Sequence, residues 1–409
     1  MKGDRRASHA LAVLFALGLA ASARAEPGDG IRLGGSTSRL HPYFELEGRY
    51  DSNIAYTAQG QATAGYILHF RPGLTFDSTS DPVAVSLTAD LDWAQYLGQN
   101  SDLSRLYGGA GLGVGLNRRG TVGLELSDNF SRSSSTQVFT LGGAVITNSN
   151  VLNVSVPWRP GGGALITTLS GVWDLETYEP FATGPLCPGT SPQCNPATVA
   201  EQNYSEGSAK LDVRWKFLPR TAALVQGEYW KRFPNSDQGS HATGGRAWAG
   251  AAGLFTAHVA GTVKGGYGEV SDTGGSVSSW LANLEGEWLP LETSSLKLGY
   301  LHDVDSDPSE DSGYTTHRAY LDARTLLSAR YTGLLSGSYE HRNYPLLSNF
   351  SADLFTIDGS VDVEVNRWLR AGGGLTYTKR TSALPPGQVN LPGYNYNKTE
   401  IYLRMRATY

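Results

Sequence analysis

The 409-residue chain carries 33 Lys+Arg against 38 Asp+Glu, a formal charge of −5 that is too mild and too acidic for a protein that wraps a nucleic acid. Hydrophobic residues make up 40% and charged residues only 17%, with 50 Gly, 21 Tyr and 9 Trp against 2 Met and 2 Cys. That vocabulary forms helices poorly and strands well.

The N-terminus reads as a secretory signal peptide over residues 1–25: basic Lys2, Arg5 and Arg6, an apolar stretch from Ala10 to Ala20, and the small-residue cleavage site Ala23-Arg24-Ala25. Its removal takes away four basic residues and one acid, so the exported chain begins at Glu26 with a charge of −8. No Cys follows the site, so a lipid anchor is not indicated. No later apolar run approaches the roughly 20 residues that a membrane helix needs. If the chain lives in a membrane, it does so as a barrel.

Residues 26–41 form a short Gly/Ser-rich periplasmic lead, and from residue 42 to 409 the hydrophobic period is two almost throughout. Tyr66, Leu68, Phe70, Leu74 and Phe76 share one face; Val83, Val85, Leu87, Leu91 and Trp93 alternate with Ser86, Thr88, Asp90 and Asp92. Ala209, Leu211, Val213, Trp215 and Phe217 alternate with Lys210, Asp212, Arg214 and Lys216. The pattern returns at Trp280 to Trp288 and at Phe355 to Val363. Segments of about 10 to 14 residues suit tilted membrane strands.

Connections alternate in length, as short periplasmic turns and long outer loops do in an outer-membrane barrel. Short turns are expected near Ser78 to Pro82, Asn117 to Gly120, Arg159 to Gly163, Leu218 to Thr221, Thr256, Pro290 to Ser294, Leu326 to Leu327 and Asn366. Longer loops are expected at 52–63, 97–103, 131–147, 178–203, 232–243, 271–276, 305–313, 343–351 and 381–395. Eight turns and nine loops imply a closed antiparallel all-β transmembrane barrel of about 18 strands, with 16 to 20 as the bounds and both termini in the periplasm.

The last segment fits. Ile401, Leu403, Met405, Ala407 and the terminal Tyr409 fall on a lipid face, and Glu400, Tyr402, Arg404, Arg406 and Thr408 on a lumen face. A closing strand that ends in an aromatic resembles the signal read by the barrel-assembly machinery. Aromatic girdles are expected at Phe44, Phe76, Trp158, Trp215, Phe217, Trp288 and Tyr409 on the periplasmic side. On the outer side the matching set is Tyr50, Trp93, Trp173, Tyr229, Tyr267, Trp280, Tyr339 and Tyr377. Mid-strand glycines such as Gly261, Gly286, Gly333, Gly337, Gly359 and Gly373 tolerate close backbone approach and curvature.

At Gly48-Arg49-Tyr50-Asp51-Ser52-Asn53-Ile54 and Phe70-Arg71-Pro72-Gly73-Leu74-Thr75-Phe76 the chain resembles the "β-barrel porin 2" group of outer-membrane proteins. The residue-level match covers about the first 40 residues after the signal. The resemblance implies an outer-membrane exit pore for a secreted exopolysaccharide. No 34-residue helical repeat is present, so any periplasmic conduit is a separate polysaccharide-export protein. A general diffusion porin and a plugged structural or adhesive surface barrel are the alternatives, the loops at 131–147 and 178–203 being long enough to fold inward.

By alternation the lumen-facing charges include Glu45, Glu47, Arg49, Asp90, Asp92, Lys210, Asp212, Arg214, Lys216, Arg318, Asp322, Arg324, Arg330, Asp358, Asp362, Glu364, Arg370, Arg404 and Arg406. Closure brings Arg404 and Arg406 beside Glu45 and Glu47, and a ladder of opposite charges across the seam is expected. Such charges either guide a hydrated solute or stiffen the wall. Tyr96, Tyr107, Trp230, Tyr320 and Tyr402 are the inward rings on which a sugar can stack. Cys187 and Cys194, in one Pro/Gly-rich loop, are expected to form a disulfide.

Catalysis, metal and cofactor binding find no motif: there is no His-Glu-x-x-His, no Gly-x-Ser-x-Gly and no Walker loop. His302 with Asp303 and Asp305, or Glu340 with His341, are the pairs that could mimic a rim hydrolase site.

Overall fold

The computed structural model describes residues 28–33, 38–58, 60, 62–80, 82–135, 144–181, 194–237, 239–308, 310–347, 350–383 and 395–409. The signal-peptide segment, Cys187 and residues 136–143, 182–193 and 384–394 of the loops at 131–147, 178–203 and 381–395 lie outside the described residues.

A two-residue strand, β1 (Ile31–Arg32), precedes β2 (Arg39–Asp51), β3 (Gly65–Thr79), β4 (Val83–Tyr96), β5 (Arg105–Leu116) and β6 (Leu124–Ser135). Then come β7 (Val145–Trp158), β8 (Leu165–Pro180), β9 (Tyr204–Leu218), β10 (Thr221–Pro234), β11 (Ala242–Leu254), β12 (Val259–Asp272) and β13 (Gly275–Leu291). The chain ends with β14 (Ser294–Asp307), β15 (Ser312–Ser328), β16 (Tyr331–Tyr344), β17 (Phe350–Asn366), β18 (Leu369–Ala383) and β19 (Tyr396–Thr408). From β2 onward each strand pairs antiparallel with the next, and β19 closes on β2, so the wall is a barrel of 18 strands. Closure leaves no unpaired edge, the condition for crossing hydrocarbon in strands. Among the described residues no helix is long and apolar enough to cross a membrane.

Strands run to 17 residues, longer than the 10 to 14 expected from the sequence. Two connections differ from expectation. The segment at 271–276 is a tight turn, Asp272 pairing with Gly275, and Gly275 at φ 139° takes a backbone conformation closed to most side chains. Leu326 and Leu327 belong to β15, and the turn lies two residues further on, between Ser328 and Tyr331. The barrel also starts earlier than residue 42. β1 pairs with Leu40 and Arg39 of β2, filling the edge just below the point where β19 stops at the Thr408–Tyr43 pair.

The period of two sorts side chains as the alternation requires. Phe44, Trp93, Trp158, Trp173, Trp215, Phe217, Tyr229, Tyr267, Trp280, Trp288 and Tyr339 are all exposed on the outer face, at the two ends of the strands assigned to girdles. Leu87, Leu211, Val263, Leu284, Ile357, Leu403 and Met405 fill the belt between them.

Apolar burial instead concentrates inside the outer mouth. Ile54, Ile67, Tyr96, Leu103, Tyr107 and Phe181 form one cluster, and Trp230, Trp248, Val270, Val277, Leu281 and Val304 another. The second arises from a departure of the wall. The β13–β14 ladder stops at Ala282–His302, whereas β12–β13 and β14–β15 continue to their tips. Beyond that point the β14–β15 hairpin leans across the inner face of β12 and β13, and Val304 becomes fully buried. Gly268 makes room, since a Cβ there would stand 2.8 Å from Val304 Cγ1.

Candidate functional site

The lumen is the functional surface of an 18-strand barrel. Its charged wall starts at the seam. Register places Arg404 opposite Glu47 and Arg406 opposite Glu45, as closure predicted. The ion pairs that cross the seam are, however, Arg49–Glu400 and Lys398–Asp51, and not Arg404 and Arg406 with Glu45 and Glu47. Arg71 of β3 reaches Glu45 at 2.9 Å, Glu47 at 3.1 Å and Asp92 at 2.9 Å, and His69 Nδ1 lies 2.9 Å from Asp92. Arg49 holds Glu47 at 2.6 Å and Glu400 at 3.0 Å, while Lys398 holds Asp51 at 2.8 Å. Arg404 turns away to Asp362 on β17 at 2.8 Å, and the Arg406 guanidinium sits 3.7 Å from the centre of the Tyr43 ring. The cause is geometric: Nη1 of Arg71, on the inner side of β3, serves both glutamates, and Arg404 and Arg406 take other partners.

A second network ties the leaning hairpin to the inner face of the nearby strands β9 to β11. Arg246 of β11 bonds Asp303 at 3.1 Å, Asp305 at 3.0 Å and the Val304 carbonyl at 2.7 Å, and Arg232 of β10 bonds Glu206 and the Ser306 carbonyl. A third lies lower on β9 to β15. Asp212 accepts from Arg214 at 2.8 Å and from Gln226, Lys264 donates to Gln226, and Glu285 accepts from Lys297 and from the Tyr320 hydroxyl. Lys210 and Lys216 share the inner face with Asp212, and Arg318 lies beside the Tyr320 ring at 5.9 Å.

The periplasmic end holds Arg324, Arg330, Arg370, Arg404 and Arg406 around a cavity of about 480 Å³, with Glu45, Asp362 and Glu364 as its acids. Asp90 faces a separate cavity of about 460 Å³ together with Arg49, Arg71 and Tyr107. Between these charged sectors, the periplasmic half of the inner face from β4 to β8 is a mostly uncharged panel, with Asp90 and Asp92 of β4 and Asp174 and Glu176 of β8 further toward the outer mouth. Cross-strand rows run Thr88–Gly111–Asn129 and Ser86–Gly113–Ser127–Asn153, and Ser155 bonds Ser170. Glu125 is the acid at its periplasmic edge.

The inward rings divide. Tyr320 and Tyr402 remain half-buried in the lumen, the latter flanked by Arg49 and Arg404. Tyr96, Tyr107 and Trp230 are instead buried in the mouth clusters, with Trp230 only 2% exposed, so they offer a sugar no free face. Tyr43, Trp230, Tyr320 and Tyr402 each lie over their direct cross-strand partner, respectively Gly73, Gly244, Gly299 and Gly374. A Cβ at any of these glycines would meet the ring, so the ring can lie flat on the wall only there.

Outside the membrane strands, Tyr56 in the first loop is enclosed beneath Lys398, whose Nζ is 3.9 Å from the ring centre, and burial pushes the phenol pKa up. The phenol therefore stays neutral.

His69, Arg71, Arg246, Lys264 and Lys398 were missed by the sequence reading, although each follows from counting alternate residues along its strand. The pairs that mimic a hydrolase come apart: His302 bonds the Thr316 carbonyl and Ser279, His341 pairs with Asp353, and Glu340 pairs with Arg342. Among the described residues no group of three or more His, Cys, Asp or Glu could hold a metal ion. Cys194 is disulfide-bonded; Cys187 lies outside the described residues.

The family described as "Putative beta-barrel porin 2" matches the sequence over residues 26–409. No curated protein matches it. Among solved structures the fold is similar to the siderophore receptor PirA from Pseudomonas aeruginosa, at 10% identity and a TM-score of 0.44, covering 91% of this chain and 81% of that one. It is also similar to the FrpB iron transporter from Neisseria meningitidis, at 8% identity and 0.41, over 90% of this chain and 82% of that one. A loop-deletion mutant of OmpT from Vibrio cholerae matches at 10% identity and 0.40, covering 91% and 100%.

Proposed function

The chain belongs to this family of β-barrel porins, and from that membership we propose that its lumen carries a hydrophilic solute across the outer membrane, most specifically a secreted exopolysaccharide on its way out. The observation that carries the reading is the periplasmic half of the inner face from β4 to β8, where serine, threonine and asparagine side chains alternate with bare glycine backbone and Glu125 is the acid at the edge. Hydroxyls and amides exchange hydrogen bonds with sugar hydroxyls without the desolvation cost of a fixed charge. Tyr320 and Tyr402, on the charged side, supply stacking faces. The role is passage rather than catalysis. Insertion rests on the closing strand that ends at Tyr409, handed to the barrel-assembly machinery, and a separate periplasmic export protein delivers the polymer.

Single-channel conductance of the barrel in a planar bilayer tests this, with and without exopolysaccharide and with dextran as a neutral probe. Large steady openings that polymer blocks support the export pore; openings indifferent to polymer identify a general diffusion porin. A second reading, a plugged surface barrel, is favoured by the inward lean of the β14–β15 hairpin and the apolar clusters of the outer mouth. Complete absence of openings identifies it.

A further inference from the structure

The cavity at the periplasmic end carries more positive charge than its wall can use. Of its acids, Glu45 is held by Arg71 and Asp362 by Arg404, which leaves Glu364. Against that single carboxylate stand Arg324, Arg330, Arg370 and Arg406. Arg370 and Arg406 are direct cross-strand partners in a row that runs Glu364, Arg370, Arg406, Glu45 across four strands, two cations side by side with one acid at each end. Arg406 is turned onto the Tyr43 ring in a cation–π contact, while its cross-strand neighbour Glu45 is held by Arg71. Arg330 lies in the β15–β16 turn, whose carbonyl accepts from the Glu364 amide, so the cluster sits at the rim where a solute from the periplasm arrives first.

We propose that this mouth is an oxyanion site that takes the carboxylate or phosphate groups of an acidic saccharide. The proposal rests on the passage reading for its direction of travel and goes beyond it in naming the charge of the cargo. Planar guanidinium forks match both oxyanions, and a ring of them raises the local concentration of an anionic chain at the entrance.

The test is binding of tetragalacturonate to the purified barrel in detergent micelles, with neutral maltotetraose as the control and inorganic phosphate as competitor. Tetragalacturonate should bind and maltotetraose should not. The triple variant Arg324→Gln, Arg330→Gln, Arg370→Gln should weaken binding roughly tenfold, as the loss of three exposed charge pairings implies. Glu364→Gln should tighten it. Displacement by phosphate identifies phosphate as the preferred group and resistance identifies carboxylate; either result supports the site. Equal affinity for the neutral sugar, or undiminished affinity in the triple variant, overturns it. Because binding is read without a bilayer, a barrel that binds but never opens refutes passage alone, and one that conducts but binds no oxyanion refutes this site alone.

Discussion

Arg71 is the pivot of the seam, and its removal has a cost that can be worked from the geometry. It pairs with three carboxylates whose side chains are 11% (Glu45), 2% (Glu47) and 13% (Asp92) exposed. Removing one partner of a buried ion pair costs about 3–5 kcal/mol when a charge is left bare. Here Glu47 keeps Arg49 and Asp92 keeps His69, so Glu45 alone loses its partner, and Arg71 itself is 22% exposed. Arg71→Ala should therefore destabilise the barrel by about 2–3 kcal/mol. Adding Glu45→Gln in the same chain removes the orphaned charge and should recover about 1 kcal/mol or more. Urea unfolding of the barrel in lipid vesicles, followed by tryptophan fluorescence, measures both. A loss below about 1 kcal/mol for Arg71→Ala, or no recovery in the double variant, would refute the claim that buried carboxylates depend on this guanidinium.

Exchanging Arg404 and Arg406 for Ala removes two lumen cations and frees Asp362, so reversal potentials in a salt gradient should move toward cation preference; unchanged potentials would leave these residues only a structural role. Gly268→Val places methyl groups where Val304 is seated, which should push the β14–β15 hairpin out of the lumen and raise conductance, whereas wild-type conductance would mean that the hairpin does not limit the passage. For the disulfide, mass spectrometry without reductant should find both cysteines oxidised, and two free thiols would disprove the bridge.

Alternation along each strand made the wall legible. It gave the 18 strands, the outward belt of Leu211 and Leu403, the girdle rings at Trp215 and Trp280, and the inward set from Glu45 to Arg406, since a period of two allows only two faces. Even the nearness of Arg404 and Arg406 to Glu45 and Glu47 followed from closure, while the register itself came with the pairing. Contacts beyond the strand were a different matter. Alternation says that Arg71 and Glu45 share a face, but which arginine forks to which glutamate depends on side-chain reach across neighbouring strands. It says that Trp230 and Tyr96 point inward, yet not that loop residues such as Leu103 and Phe181, or a leaning hairpin carrying Val304, would bury the inward wall beside them. The sequence by itself determined the barrel, because closing hydrogen bonds and sorting apolar from polar faces are local, periodic demands on each strand. Only the tertiary structure decided the lining of the lumen. There the partners are strands far apart in the chain, and the outcome turns on where a glycine such as Gly268 lets one element approach another.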